Sequence, residues 1–248
     1  MSRQGFSLAE LATVIVIIGF IAAAISGSRN LVEQAKLTKL ISEVEVLRSA
    51  NQNFITTYNY LPGDFPKATD FWGSYHATNN PNGALNGNGN GIVDNSDSNS
   101  FRADPLRIWH HLELAGLISG NYDRDIIDTN AGTLISDTHI PRSKVFFNLN
   151  FYYYGSDVSA RKPWLLTGKE RANDRPLNAS LTPKQAYNID RKMDDAIQNA
   201  GYVVGYESYG EDDTESLENY CDTVAAEKYD LASEKVVCNL KFLDILVK

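Results

Sequence analysis

The chain has 248 residues, with 23 Lys and Arg against 31 Asp and Glu and a formal net charge of −8. An acidic chain without basic runs excludes a general nucleic-acid-binding surface. The length leaves room for one globular domain with a real core beside an N-terminal segment of different character. That segment runs from Phe6 to Ile25 and reads as an apolar helix of about 30 Å, enough to cross a bilayer core. Glu10 is out of place in it, because a carboxylate at mid-membrane costs on the order of 2.5–3.5 kcal/mol and calls for a cationic partner.

A short leader with a basic residue, Met1-Ser-Arg-Gln-Gly5, then a Gly5-Phe6 junction, Glu10 and a long apolar helix together resemble the N-terminus of type IV prepilins and type II secretion pseudopilins. The resemblance implies cleavage between Gly5 and Phe6 by a prepilin peptidase and N-methylation of Phe6. It further implies delivery to an assembly platform in the membrane and polymerisation into a helical filament. In that picture Glu10 accepts the charged amino group of Phe6 from a neighbouring subunit. An ammonium and a carboxylate in low dielectric relieve each other's desolvation, and only the correct stagger lets them meet. The location implied is the bacterial inner membrane, with a single span and a periplasmic head, and then a periplasmic or cell-surface filament. A secretory signal peptide is the competing reading, with Arg3 as its basic region, Leu11 to Phe20 as its apolar region and Ala22-Ala23-Ala24 as its cleavage site; Glu10 argues against it. Arg29, Lys36 and Lys39 outnumber Arg3, contrary to a simple positive-inside pattern, so orientation rests on the resemblance.

The chain then divides into a leader at 1–5, an apolar helix at 6–28, an amphipathic half of the same helix at 29–61, and a head at 62–248. Ser26-Gly27-Ser28 have low helix propensity and predict a kink or melted turn. Leu37, Leu40, Ile41, Val44, Leu47 and Phe54 recur at three- and four-residue spacing and predict an amphipathic helix packed on its own head. Leu61-Pro62-Gly63 predicts its end.

Residues 63–100 are rich in Gly, Asn, Asp and Pro with scattered aromatics and read as a long ordered loop. Inside it, Asn86, Asn88, Asn90 and Asp94 occupy the first, third, fifth and ninth positions of an EF-hand-like loop. Ile92 offers a carbonyl at the seventh and Asp97 a carboxylate at the twelfth. Calcium is the ion such a spacing suits, held weakly because three positions carry Asn; the alternative is a run of Asn-Gly turns with no ion.

Asp104-Pro105 predicts a helix start, with Ile108, Trp109, Leu112, Ala115 and Leu117 on one side and Gly120 at the end. His110 and His111 point to different sides of a helix and so do not form the i, i+4 pair of a metal site; they read as one boundary and one exposed histidine. Residues 144–154 read as a strand, with Pro163–Thr167 as hairpin partner. Thr182-Pro183-Lys184-Gln185 predicts a capped helix carrying Asp190, Asp194 and Asp195 on a solvated or salt-bridged face and ending at Gly201. Tyr202–Gly205 and the final run around Cys238 read as strands. The fold expected is α+β, a long N-terminal helix covering an antiparallel sheet with additional helices. The stretches around Asp104–Ile118 and Leu181–Asp195 and the last cysteine strand also look like those of pilin-like proteins with a large C-terminal domain.

Cys221 and Cys238 lie near the C-terminus, and an exported domain sits where thiols oxidise, so a disulfide closing 221–238 is expected; two unrelated buried thiols are the alternative. The resemblance adds weight, since many pilins carry a C-terminal disulfide-bounded loop. No Gly-x-Ser-x-Gly elbow, P-loop, His-Glu-x-x-His or zinc-spaced cysteine set occurs. The expectation is a filament subunit, a pilin, minor pilin or pseudopilin, rather than an enzyme. The alternative is a single-pass anchored periplasmic binding module whose loop at 63–100 recognises a ligand.

Overall fold

The computed structural model of the chain describes residues 7–76, 78–80, 83–93, 103–122, 134–154, 164–172, 174–206, 208–209, 216–217, 221, 228–243 and 245; side chains at 24–27, 29, 103–104, 154, 208–209 and 216–217 lie outside that description. The architecture is α+β. Helix α1 (Leu8–Tyr58) is followed by α2 (Ala68–Trp72), α3 (Ala103–Leu114), β1 (Asn150–Tyr154), β2 (Trp164–Gly168), α4 (Pro183–Met193), β3 (Val203–Tyr206), β4 (Ser208–Tyr209), β5 (Ser216–Leu217) and β6 (Asn239–Phe242). The main sheet is antiparallel with order β1-β2-β6-β3, and β4 and β5 form a separate two-stranded ribbon.

Helix α1 begins with a capping box, Ser7 and Glu10 each binding the other's backbone N–H, which satisfies two of the donors a helix start leaves open. It continues unbroken through Ser26-Gly27-Ser28, so the predicted melted turn does not form; a single glycine costs a helix only about 1 kcal/mol. It ends at Asn59, in the left-handed region at φ 59°, whose N–H returns to Ile55 O at 2.8 Å. Pro62 and Gly63 thus lie beyond the helix end, which comes earlier than predicted.

The expected stripe enters the core, for Leu37, Leu40, Val44, Leu47 and Phe54 are all buried and Ile41 packs partly buried against them, and Ala50 and Ile55 of α1 join it. Helices α3 and α4 lie beside α1 and also meet the sheet. Across the sheet, Tyr153, Leu165, Phe242 and Val203 align in one cross-strand row, and all four are fully buried. Asn51, fully buried on α1, donates to Leu47 O and to the Tyr153 hydroxyl, which joins helix to sheet. Asn51→Ala strands the Tyr153 hydroxyl without water, so a loss of about 1–3 kcal/mol is expected in chemical denaturation. Tyr153→Phe in the same background should recover part of it.

Three local predictions shift. Helix α3 stops at Leu114 rather than Gly120, because Gly116 adopts φ 69° and the N–H groups of Gly116 and Leu117 turn back to Glu113 O and Leu112 O, a Schellman ending. The strand expected over 144–154 forms only from Asn150, since Ser143 Oγ accepts the N–H groups of Val145 and Phe146 at 3.2 and 3.1 Å and curls the chain. Helix α4 starts with the predicted Thr182–Gln185 box but ends at Met193. Its C-cap Asp194 accepts the N–H groups of Tyr202 and Val203, turning the chain into β3. β2 pairs with β1 as expected.

Candidate functional site

Among the described residues, nothing packs on the apolar first half of α1. Leu8, Leu11, Val14, Ile15, Val16, Ile17, Ile18, Phe20 and Ile21 are each at least half exposed, with Leu8 at 87 % and Phe20 at 74 %. At 100° per residue, consecutive exposed positions from Val14 to Ile18 cover every side of a helix. Leu31 and Val32 extend the exposed run almost to Leu37, where burial begins. Exposed apolar area of this extent marks a surface meant for a partner or a lipid phase.

Gly5 and Phe6, the expected processing and assembly residues, lie outside the described residues. Glu10 is described, and its Oε2 accepts the Ser7 N–H at 2.8 Å while Ser7 Oγ accepts the Glu10 N–H at 3.3 Å. The motif Ser7-x-x-Glu10 carried this capping role in plain view. The membrane span expected over 6–28 is not found, for among the described residues no helix is long and apolar enough to cross a membrane.

The predicted cysteine pair is joined, Cys221 to Cys238, with Cα atoms 4.9 Å apart. Both cysteines are buried. Cys238 abuts β6, and its backbone bridges to Leu181 just before α4, so the bond ties Cys221 to the start of an interior strand of the sheet.

Of the six expected calcium ligands, Asp94 and Asp97 lie outside the described residues. The Asn86 amide is matched to Thr69, accepting its N–H at 2.9 Å and donating to its hydroxyl at 3.0 Å. Asn88 Oδ1 accepts the Asn90 N–H at 2.9 Å, and Asn90 Oδ1 accepts the Ile92 N–H at 2.7 Å. These are Asx turns, and the Ile92 residue takes part through its N–H. What organises the loop is Asp64, a fully buried carboxylate whose two oxygens accept the N–H groups of Asn90 and Gly91 at 3.0 and 2.8 Å. Nothing in the sequence around Asp64 announced this role, which depends on a chain segment more than twenty residues away.

Two readings of polar groups are corrected. His110 and His111 are both buried, at 1 % and 0 % exposure, because α3 is covered on both sides, by α1 and the 63–93 loop as well as by β1. His111 Nδ1 accepts the Gly63 N–H at 2.9 Å and its Nε2 lies 2.8 Å from Leu85 O, which fixes the proton on Nε2. Burial pushes its pKa down to about 4. The three aspartates of α4 and its C-terminus form a solvated face only in part, Asp195 being exposed and Asp194 half-buried. Asp190 is fully covered, accepting the Tyr229 hydroxyl at 2.9 Å and the Ala196 N–H at 3.1 Å, and burial pushes its carboxyl up to about 6. Asp190, Asp194 and Asp195 bring their carboxylates within 4.8 Å of one another, each with a backbone N–H already bound.

A cleft of about 360 Å³ lies between α1 and the segments around Ile118 and Arg142. Glu43 accepts the Lys144 N–H at its edge at 3.0 Å, and Arg142 is paired with Asp137 at 2.5 Å. Family models, curated proteins and solved structures gave no match to this chain.

Proposed function

We propose that the chain is a structural subunit, a pilin, minor pilin or pseudopilin, that a prepilin peptidase processes between Gly5 and Phe6 and that assembles into a type IV pilus-like or type II secretion filament. Before assembly the first half of α1 rests in the inner membrane; afterwards it lies against its equivalents in the filament, with the head outward. One observation carries the reading. The apolar side chains from Leu8 to Ile21 are exposed all round α1, and no described residue of the head covers them. Burial against neighbouring subunits removes that surface from solvent at roughly 25 cal/mol per Å².

The capping box gives Glu10 a local task, which favours a second reading in which the chain is anchored but does not polymerise. A pair of substitutions separates the two. Gln serves a capping box as well as Glu does but carries no charge, so Glu10→Gln keeps the helix start and removes the partner of an N-terminal ammonium. In the host, N-terminal mass spectrometry should find a mature chain starting at N-methylated Phe6. Filament incorporation should fall as far with Glu10→Gln as with Glu10→Ala. Normal incorporation of the Gln variant would reduce Glu10 to a cap, and an intact Met1 would leave only the anchored module.

A further inference from the structure

Three Asn-Gly steps follow one another at Asn86-Gly87, Asn88-Gly89 and Asn90-Gly91. This dipeptide is the most prone to deamidation in an open chain, because glycine puts no side chain in the way of its own nitrogen. The glycine nitrogen loses its proton and attacks the asparagine Cγ; the new N–Cγ bond closes a succinimide as the Cγ–Nδ2 bond breaks and ammonia leaves. Water then opens the ring to aspartate or isoaspartate. All three asparagines are exposed, so burial does not keep water from them.

The hydrogen bonds do what burial does not. The Gly87 N–H is given to Phe65 O at 2.9 Å, the Gly89 N–H to Asp64 O at 3.1 Å and the Gly91 N–H to Asp64 Oδ2 at 2.8 Å. Each attacking nitrogen is thereby turned toward the Asp64–Phe65 segment rather than toward the preceding amide. The amides are tied as well: Asn86 to Thr69, Asn88 to the Asn90 N–H and Asn90 to the Ile92 N–H. Gly87 sits so close that a Cβ there would meet Asp64 and Gly63 backbone atoms at 2.4 Å, so the loop has no slack in which to swing. We propose that the 86–91 loop is a latent deamidation site held unreactive by its hydrogen bonds to Asp64 and Phe65, with the Asp64 carboxylate as the positioning residue that guards Asn90-Gly91.

The test is peptide mapping by mass spectrometry, resolving aspartate from isoaspartate, after incubation of the full chain in mildly alkaline buffer, folded or in urea. Reaction only from the opened loop makes each folded step on the order of a hundredfold slower than its unfolded counterpart. In Asp64→Ala, Asn90 should react on the order of tenfold faster than in the parent fold, while Asn86, tied through Thr69 and Phe65, changes least. A substitution that only loosened the whole fold would raise all three steps together. A folded parent that deamidates at Asn90 as fast as in urea, or an Asp64→Ala chain in which Asn90 stays slow, overturns the proposal. The folded-against-urea comparison needs no variant and holds even where Asp64→Ala folds poorly.

Discussion

Replacing Cys221 and Cys238 together by serine lowers the stability of the head by about 3 kcal/mol, the chain-entropy value for a closed loop near this length, the cysteines being 17 residues apart. The structure says where the loss is felt. Cys238 exchanges backbone hydrogen bonds with Leu181, the residue before the α4 N-cap, and leads into β6, the strand between β2 and β3. On the other side, the Cys221 carbonyl accepts the Asp230 N–H at 3.2 Å, next to Tyr229, whose hydroxyl holds Asp190 of α4. Opening the bond loosens the Tyr229–Asp190 contact before the sheet. The expected result is a lower midpoint in urea with tryptophan fluorescence as readout, an m-value larger than the parent's because the uncrosslinked unfolded chain exposes more surface, and a similar loss when the parent is reduced. Equal midpoints for the parent and the double serine variant would mean the core alone holds this segment.

Features written by neighbouring residues were legible in the sequence. The Thr182–Gln185 box, the 3.6-residue stripe from Leu37 to Phe54 and the β1–β2 hairpin depend on residues close in the chain, and all three form. What was missed depends on partners far away. The burial of His111 is decided by Gly63 and Leu85, that of Asp190 by Tyr229, and the loop geometry by Asp64; no local pattern encodes those meetings. The α3 end shows a second kind of miss, a helix stop at Gly116 ahead of the Gly120 that was expected. Gly116 wins because Leu117 is placed to return a hydrogen bond to Leu112. For the candidate site, the apolar run was plain. Ser7 three residues before Glu10 also announced a cap, a second meaning for a residue that the resemblance alone assigns to assembly.

His111 takes stability from the folded state as pH falls, and His111→Gln should remove that loss. The ring is fully buried, stacked on Phe54 with centroids 5.9 Å apart and edge-on to Phe65, and both of its nitrogens are committed to backbone partners. A second proton would go on Nδ1, the atom that accepts the Gly63 N–H, so protonation needs that bond broken and a charge buried beside Arg107. The folded pKa of about 4 lies below the unfolded value of about 6.5. The unfolded chain therefore binds the extra proton in between, and stability present above pH 6.5 is lost as pH falls toward 4, by on the order of 3 kcal/mol in all. Asp190 works in the opposite direction. Its carboxyl, fully covered though only thinly, titrates near 6 in the fold against 3.8 as the ordinary value, so the folded state holds its proton more tightly and gains stability as pH falls through that window. The two effects offset each other in the parent chain, whose unfolding free energy should change little between neutral pH and pH 4 on their account. Glutamine at 111 keeps one acceptor and one donor but does not titrate, so the variant loses some packing at neutral pH and then becomes relatively more stable toward acid. Asp190→Asn should do the reverse and fall away steeply below pH 6. Urea unfolding at a series of pH values reads both slopes, and parallel profiles for the parent and His111→Gln would show that this histidine takes up its proton as readily in the fold as outside it.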